Sequence, residues 1–269
     1  MTKAPAGNLV FLLGGHDLEM LEIRRLLEAL APGRFHDAGL RWGAKASAYR
    51  REIDECLAAG GTPVLVELED DLGIDPSRKI VVDHHGRAAG IDAPTSLEQV
   101  HSLLGLAPET LTRRQRLVAA NDRGHIPSLR EAGATDAEIV AIRAEDRAAQ
   151  GVTETEEAEA ALAVRDAETR CGGRLTVVRC SHSRVAAVTD RLDPALGGPG
   201  CRNLLVLSPD EVNFSGNGGI VLALGETLAG SWWGGALPER GYWGTRVAPD
   251  AIPELERLVE RLVAERESP

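Results

Sequence analysis

The segment KIVVDHHG ends in three consecutive polar side chains, Asp83, His84 and His85. The apolar residues before them predict a buried strand, and neighbouring side chains of a strand point to opposite faces. One imidazole of the triplet can therefore bind a metal ion while the other faces a substrate. The alternative is a polar strand terminus exposed to solvent, and the triplet alone does not decide between these interpretations.

Carboxylates stand at comparable places elsewhere in the chain. Asp17 and Glu19 follow the first apolar segment, NLVFLLGGHD. Glu67 closes the segment TPVLVELED, and Asp122 lies in AANDRG at the end of a predicted helix. Oxygen ligands combined with one or two imidazoles suit Mn²⁺ or Mg²⁺. One or two such ions can polarise a phosphoryl group and lower the pKa of a bound water molecule. Hydrolysis of a phosphate ester at such a site needs no serine or cysteine nucleophile.

The elements that carry these residues alternate between strand and helix. Apolar residues recur at helical spacing in LEMLEIRRLLEAL and in ASAYRREIDECLAAG, which precedes TPVLVELED, and RKIVVDHHG supplies a third buried strand. This alternation predicts right-handed βαβ units and a parallel sheet with helices on both faces. Ligands of such sheets bind beyond the carboxyl ends of the strands. We therefore expect the carboxylates and imidazoles to share one edge of the sheet.

The remaining sequence predicts a second domain. Helical patterns continue to about residue 150 and are followed by an acidic run rich in alanine and arginine, which we interpret as a connecting helix with a solvated face. A second α/β pattern then extends from RLTVVRC to a closing helix from Ile252 to about Arg266. The expected α/β architecture is a parallel-sheet domain over residues 1–150, a connecting helix over residues 151–172 and a smaller domain over residues 173–269.

A predicted loop, SWWGGALPERGYWG, lies before the closing helix and is rich in glycine and tryptophan. Gly234 and Gly235 would let backbone N–H groups approach a phosphate closely. Arg240 and Arg246 are candidates for clamping the same anion. The tryptophans can stack on a nucleobase or pack as an aromatic cluster between the domains. We interpret this segment as the substrate-binding element.

The composition limits the class of partner. A formal net charge of −11 argues against binding long duplex nucleic acid and favours a small phosphorylated substrate, such as a nucleotide or a short oligonucleotide. No stretch reaches the roughly 18–20 apolar residues of a membrane span, and MTKAPAGN lacks the apolar core of a secretory leader. We therefore expect a cytoplasmic protein without a membrane partner. The scattered cysteines predict neither a zinc knuckle nor a disulfide framework, and a homodimer is compatible with the sequence.

The order of these motifs resembles the DHH superfamily, which includes RecJ-like exonucleases, oligoribonucleases, cyclic-dinucleotide phosphodiesterases and family II inorganic pyrophosphatases. The resemblance is close over residues 8–125. It is looser over residues 174–246, where the glycine-rich segment is similar to that of the DHHA1 substrate domain. It implies a divergent member that hydrolyses a phosphodiester or phosphoanhydride in a small, nucleotide-like substrate. The motifs that carry it are Asp17-Leu18-Glu19, Glu67, Asp83-His84-His85 and Asp122.

The resemblance also implies roles for individual side chains. Glu67 is the candidate carboxylate that bridges two ions. Asp83 is expected to orient an imidazole, and His85 to contact the scissile phosphate or its leaving group. His16 is a further candidate ligand, or alternatively a turn histidine that caps the following helix. The residues for which the resemblance implies metal binding are Asp17, Glu19, Glu67, His84 and Asp122.

Some positions depart from the superfamily pattern. Leu13 stands where a histidine is usual, and Leu237 lies near the expected place of the histidine of the glycine-rich loop. Glu19 and Glu67 replace aspartates; glutamate keeps the charge but adds a methylene, so ions would be held differently or less tightly. These departures motivate an alternative, a degenerate member that binds a nucleotide or metabolite without turnover. A second alternative is a metallohydrolase that acts on a group other than phosphate.

Overall fold

The computed structural model describes residues 8–90 and 92–266, and the chain packs as two compact units. The first unit comprises Met1–His84 and Pro94–Asp122, and the second comprises His85–Ala93 and Arg123–Pro269. Within the described residues, no helix is both long and apolar enough to cross a lipid bilayer. Most of the segment MTKAPAGN, on which the expectation about a leader rests, lies outside the described residues.

The first unit contains four strands, β1 (Leu9–Leu13), β2 (Phe35–Asp37), β3 (Thr62–Val66) and β4 (Ile80–Val82). They form a wholly parallel sheet in the order β2-β1-β3-β4. The register pairs Leu13 with Val66 and Val66 with Val82, so β1, β3 and β4 end side by side. The three predicted strands are therefore confirmed, and the polar residues that follow them lie at one edge of the sheet. The burial predicted for the third strand was wrong, because β4 is an edge strand and Val81 is 50% exposed. β2 was not predicted, because FHD contains no apolar run.

Helices flank this sheet: α1 (Leu18–Leu30), α2 (Arg50–Ala58), α3 (Ser96–Leu103) and the first part of α4 (Arg113–Glu131). α1 begins after Asp17, whose Oδ1 accepts a hydrogen bond from the Met20 N–H at 2.8 Å. α3 begins after Thr95, which forms a reciprocal capping box with Glu98. Such caps satisfy N–H groups that a helix start leaves unbonded. The predicted α/β class, with a parallel sheet flanked by helices, is confirmed.

The second unit contains a mixed sheet in which one strand pair is parallel and the others are antiparallel. Its strands are β5 (Glu168–Arg170), β6 (Leu175–Arg179), β7 (Leu204–Leu207), β8 (Glu211–Asn217), β9 (Trp232–Gly234) and β10 (Arg240–Arg246). Their order is β5-β6-β7-β8-β10-β9. Its helices are the end of α4, α5 (Asp136–Ala149), α6 (Glu154–Arg165), α7 (Val185–Leu192), α8 (Gly218–Thr227) and α9 (Ile252–Arg266). The closing helix has the predicted bounds.

The segment predicted as a glycine-rich loop forms β9 and most of β10. These strands pair antiparallel, with Trp233 opposite Trp243. Trp243 is 1% exposed and packs in the core with Phe214 and Val259. Burial of aromatic side chains on a pleated strand outweighs the loop preference of the glycines. Trp243 therefore cannot stack on a ligand, and the prediction of a loop was wrong.

The segment predicted as one connecting helix is also different in the structure. α6 ends at Arg165, and β5 then pairs with β6. Ala160 of α6 is fully buried, so the helix packs into a core rather than standing in solvent. Contacts divide the chain after Asp122, whereas the predicted boundary lay at residue 150. The division into separately folding domains stays a prediction.

Candidate metal centre

The ends of β1 and β3 approach each other closely at Gly14 and Glu67. A Cβ atom on Gly14 would lie 2.2 Å from the Glu67 carbonyl oxygen, so a larger residue requires the backbone to move. Glu67 has a φ of 51°, in the left-handed region that non-glycine residues rarely adopt. Its N–H donates to the Val82 carbonyl at 2.8 Å, which keeps it joined to β4. Backbone strain of this kind is concentrated at functional sites.

Gly14→Ala is expected to destabilise the protein by about 1–3 kcal/mol, because the new methyl group would force the Glu67 backbone out of position. Urea denaturation of the two proteins measures this loss. Gly90→Ala is the matched control, since a Cβ there would meet its nearest neighbours at 4.0 Å. Equal effects of the two substitutions would contradict the close approach at Gly14.

Four side chains converge beyond this edge and form a buried cluster. The Nε2 atom of His84 lies 3.6 Å from Glu19 Oε2, 3.8 Å from Glu67 Oε1 and 2.5 Å from Asp122 Oδ2. The Glu19 side chain is 1% exposed, and that of Asp122, the most exposed of the four, is only 18% exposed. The structure thus brings together four of the six residues predicted as candidate metal ligands.

Each member of the cluster is positioned by a different element. Glu19 lies in the first turn of α1, and its Oε1 accepts a hydrogen bond from the Leu97 N–H at 3.0 Å. His84 is the second residue after β4, and Asp122 lies in α4 two residues before an interruption at Gly124 and His125. Four separate segments of the chain therefore supply the donors, which gives the cluster a rigid frame.

Burial and mutual repulsion control protonation in the cluster. Burial raises the pKa of Glu19, and the charge of Asp122 adds to this effect. Burial also raises the pKa of Glu67 well above its usual value, with further contributions from the charges of Glu19 and Asp122. Burial lowers the pKa of His84, but the nearby carboxylates of Asp122 and Glu19 outweigh it and raise this pKa to about 12. The metal-free cluster therefore retains protons that isolated side chains would release.

The chemistry of the donor set fits a divalent cation. Within residues 8–90 and 92–266, the Oε2 atoms of Glu19 and Glu67 are buried without a hydrogen-bond partner. Leaving such an acceptor unsatisfied costs about 1–3 kcal/mol. One ligand atom from each of Glu67, His84 and Asp122 lies within 4.8 Å of the others. Carboxylate oxygens with one imidazole are donors that Mn²⁺ or Mg²⁺ accepts.

The raised pKa values predict how the stability of metal-free protein depends on pH. Because Glu19, Glu67 and His84 bind protons more tightly in the folded state than in the unfolded chain, stability should fall as the pH rises above about 5, and His84 should extend this fall towards pH 12. Urea denaturation in the presence of a chelator measures this slope. Glu67→Gln should make it shallower; an unchanged slope would contradict the assignment of raised pKa values to this cluster.

Other predicted residues near this edge have different surroundings. His16 is exposed, and the cap of α1 is Asp17, so the alternative role of His16 as a helix cap is wrong. Leu13 is fully buried and belongs to the core. The main-chain oxygen of Asp83 accepts a hydrogen bond from Gln99 Nε2 at 3.0 Å. Metal binding by Asp17 and His16 stays a prediction.

The predicted substrate side lies in the second unit. A Cβ atom on Gly234 would be 2.9 Å from Tyr242 Oη and 3.5 Å from His85 Cδ2, so the His85 ring lies beside this glycine. Gly235 has a φ of 105°, and its Cβ would lie 2.8 Å from the Gly241 Cα. Both positions therefore require glycine for close packing within the second unit, and contact between their backbone and a substrate stays a prediction.

Arg240 and Arg246, predicted to clamp one anion together, do not lie together, and binding of a substrate by either of them stays a prediction. Arg240 and Arg246 stand at opposite ends of β10, which places their Cα atoms roughly 20 Å apart. Arg246 Nε lies 3.4 Å from Glu211 Oε1, and Arg240 Nη1 donates to the Arg202 carbonyl at 3.4 Å. The sequence spacing was compatible with a clamp only as long as the segment was interpreted as a flexible loop.

Two residues shape the site without supplying metal ligands, and neither was predicted from the sequence. Gly14 allows the approach to Glu67, and Thr95 fixes the start of α3, from which Leu97 donates to Glu19. The Thr-x-x-Glu pattern at Thr95 and Glu98 is a recognisable capping signal. The close backbone approach at Gly14, by contrast, leaves no mark in a single sequence beyond the glycine itself.

Comparison with known proteins reveals similarity in structure. No family model matches the sequence, and no curated protein matches it significantly. RecJ from Thermus thermophilus in complex with Mn²⁺ is similar at a TM-score of 0.53 and 12% identity, over 96% of this chain and 52% of that chain. The present chain thus spans about half the length of that RecJ chain.

An exopolyphosphatase-related protein from Bacteroides fragilis is similar over nearly its whole length. Its TM-score is 0.52 at 13% identity, over 97% of this chain and 94% of that chain. Identities this low show a shared fold and no more. The parallel sheet and the second, mixed sheet of this chain thus belong to a fold that it shares with RecJ and with the exopolyphosphatase-related protein.

Proposed function

We propose that this protein is a divalent-metal-dependent phosphoesterase that hydrolyses a phosphodiester or phosphoanhydride in a small, nucleotide-like substrate. The observation that carries the proposal is the buried cluster of Glu19, Glu67, His84 and Asp122, with two carboxylate oxygens that lack a hydrogen-bond partner within the described residues. The shared fold supports it, because one similar chain is RecJ bound to Mn²⁺ and another is an exopolyphosphatase-related protein.

In this proposal the cluster holds one or two Mn²⁺ or Mg²⁺ ions. When bound, the ions supply Lewis-acid activation of the phosphoryl group and of a water molecule. Asp83 holds the triplet in place through the hydrogen bond that its carbonyl accepts from Gln99. His85 contacts the phosphate or the leaving group, and the backbone at Gly234 and Gly235 offers N–H donors to the phosphoryl oxygens.

The charge of the chain favours a short substrate. A net charge of −11 opposes a long polyanion, whereas a small phosphorylated ligand needs only local neutralisation by the ions. Binding without turnover is the main alternative, because the buried Leu13 replaces the histidine usual in this superfamily. The second alternative is a metallohydrolase that acts on a group other than phosphate.

A Mn²⁺-supplemented hydrolysis panel tests the proposal. It compares bis-p-nitrophenyl phosphate, pyrophosphate, short oligonucleotides, cyclic dinucleotides and phosphoadenosine phosphate, each with untreated, chelator-treated and Mn²⁺-restored protein. We expect at least one small nucleotide substrate to be hydrolysed, with activity lost on chelation and regained with Mn²⁺. Tight nucleotide binding without hydrolysis would favour the degenerate alternative, and hydrolysis that survives complete chelation would contradict a metal mechanism.

A further inference from the structure

An exposed tryptophan lies beside the candidate metal centre in the first unit. Trp42 belongs to the loop of residues 38–45, called here the β2 loop, and is 38% exposed. A Cβ atom placed on Gly15 would lie 3.2 Å from Trp42 Cδ1 and 3.6 Å from Glu67 Oε2. The indole and the Glu67 carboxylate therefore lie next to the same glycine, and a ligand bound at the cluster would reach the aromatic side chain.

Hydrogen bonds hold the β2 loop at both ends. Tyr49 Oη accepts from the Ala38 N–H at 2.9 Å and donates to the Leu13 carbonyl at 2.6 Å, which ties the loop start to the end of β1. The Glu69 N–H donates to the Ala44 carbonyl at 3.0 Å, which ties the loop end to the segment after β3. The loop is thus attached to the two strand ends that border the site, and little ordering is needed when a ligand binds.

The exposed side chain of Trp42 has the chemistry needed to bind a nucleobase. An indole that keeps more than a third of its surface in water offers a flat aromatic face, and nucleobases of any type stack on such faces. A nucleotide carries its base one sugar away from its phosphate, so a phosphate at the cluster would leave the base near Trp42. Stacking needs only the ring face and leaves the edge against Gly15 undisturbed.

We propose that Trp42 is the platform on which a nucleobase of the substrate stacks, so that this chain selects nucleotides over phosphate compounds without a base. The proposal rests on the proposed function, because it assumes that the phosphate is bound at the Glu19–Glu67–His84–Asp122 cluster. Trp42 belongs to the first unit. The tryptophans that the sequence suggested for stacking, Trp232, Trp233 and Trp243, belong to the second unit.

Steady-state kinetics on paired substrates test it, using the Mn²⁺-loaded full chain. One substrate is 5′-phosphorylated diadenylate, and the other is the same sugar-phosphate backbone without bases. Trp42→Ala should raise KM for the diadenylate roughly 5- to 150-fold and leave the abasic KM unchanged, while Trp42→Phe should keep most of the preference. An equal effect on both substrates, or none on either, would overturn the proposal.

A binding measurement separates failure of this proposal from failure of the proposed function. If no substrate is hydrolysed, the phosphoesterase proposal fails, and titration with AMP and with ribose 5-phosphate still examines Trp42. Quenching of tryptophan fluorescence by AMP that is absent in Trp42→Phe supports base stacking. Quenching by AMP that persists in Trp42→Phe, or equal quenching by ribose 5-phosphate, would contradict stacking of the base on Trp42.

Discussion

His84→Ala is expected to reduce Mn²⁺-dependent hydrolysis by at least about 100-fold, since even residues that merely orient metal ligands are worth about 10- to 100-fold. His84 Nε2 is the atom that approaches all three carboxylates of the cluster. Without it, the buried carboxylates lose both a shared ligand position and their neighbouring positive charge. Initial rates at saturating Mn²⁺ measure the loss.

A matched control distinguishes loss of the site from a general change in charge. Glu69→Gln alters an acidic side chain two residues from Glu67, but this side chain is 65% exposed and pairs with Lys45 at 3.7 Å. Its activity should remain within about two-fold of the unmodified chain, because exposed ion pairs contribute little. His84→Ala protein that is folded and fully active would refute the placement of the reaction at this cluster.

Glu67→Gln is expected to have opposite effects on stability with and without metal. Burial and the charges of Glu19 and Asp122 raise the pKa of Glu67, so keeping an ionisable carboxyl group at this place costs free energy in metal-free protein. Glutamine is neutral at every pH and avoids this cost, so stability should increase. An increase of about 1 kcal/mol corresponds to roughly 2–4 °C in Tm for a chain of this size. The rise in Tm that Mn²⁺ gives the unmodified protein should disappear, because a ligand has been lost.

Glu22→Gln is the control for this experiment. Glu22 is 6% exposed and lies in the same unit, but its Oε2 is 3.0 Å from both Arg25 Nη1 and Arg114 Nε. The Glu22 carboxylate is buried between two partly exposed arginines, so replacing it by a neutral amide removes favourable ion pairs and destabilises the protein. Glu22→Gln should therefore lower Tm, while the increase on adding Mn²⁺ is retained. Thermal denaturation in which Glu67→Gln behaves like Glu22→Gln would show that Glu67 has a purely structural role.

The sequence predicted the location of the site because strand ends in a parallel sheet meet at one edge. Glu67 follows the buried strand β3, Asp83-His84-His85 follow the edge strand β4, and the register of β1, β3 and β4 brings those ends together. It could not predict the left-handed backbone of Glu67, because that conformation is imposed by tertiary packing against Gly14. The place of Glu19 beside this edge was predictable, since it lies in the first turn of α1, which follows β1.

The second unit shows where local sequence signals were insufficient. Residues 231–244 are rich in glycine and suggested a loop, but Trp233 and Trp243 pair across strands and are drawn into a core. Arg240 and Arg246 lie apart for the same reason, since the residues between them form the strand β10 and not a flexible loop. The place of Trp42 was not predictable either, because it depends on long-range hydrogen bonds of Tyr49 and Glu69.

Direct measurement of metal binding tests the central claim. Isothermal titration of chelator-stripped, folded protein with Mn²⁺ should give at least one ion per chain, and Glu67→Gln should abolish or greatly weaken this binding while Glu69→Gln preserves it. Loss of Mn²⁺ binding in Glu67→Gln but not in Glu69→Gln would identify the buried cluster as the metal centre. Absence of Mn²⁺ and Mg²⁺ binding to the folded, unmodified protein would contradict the account.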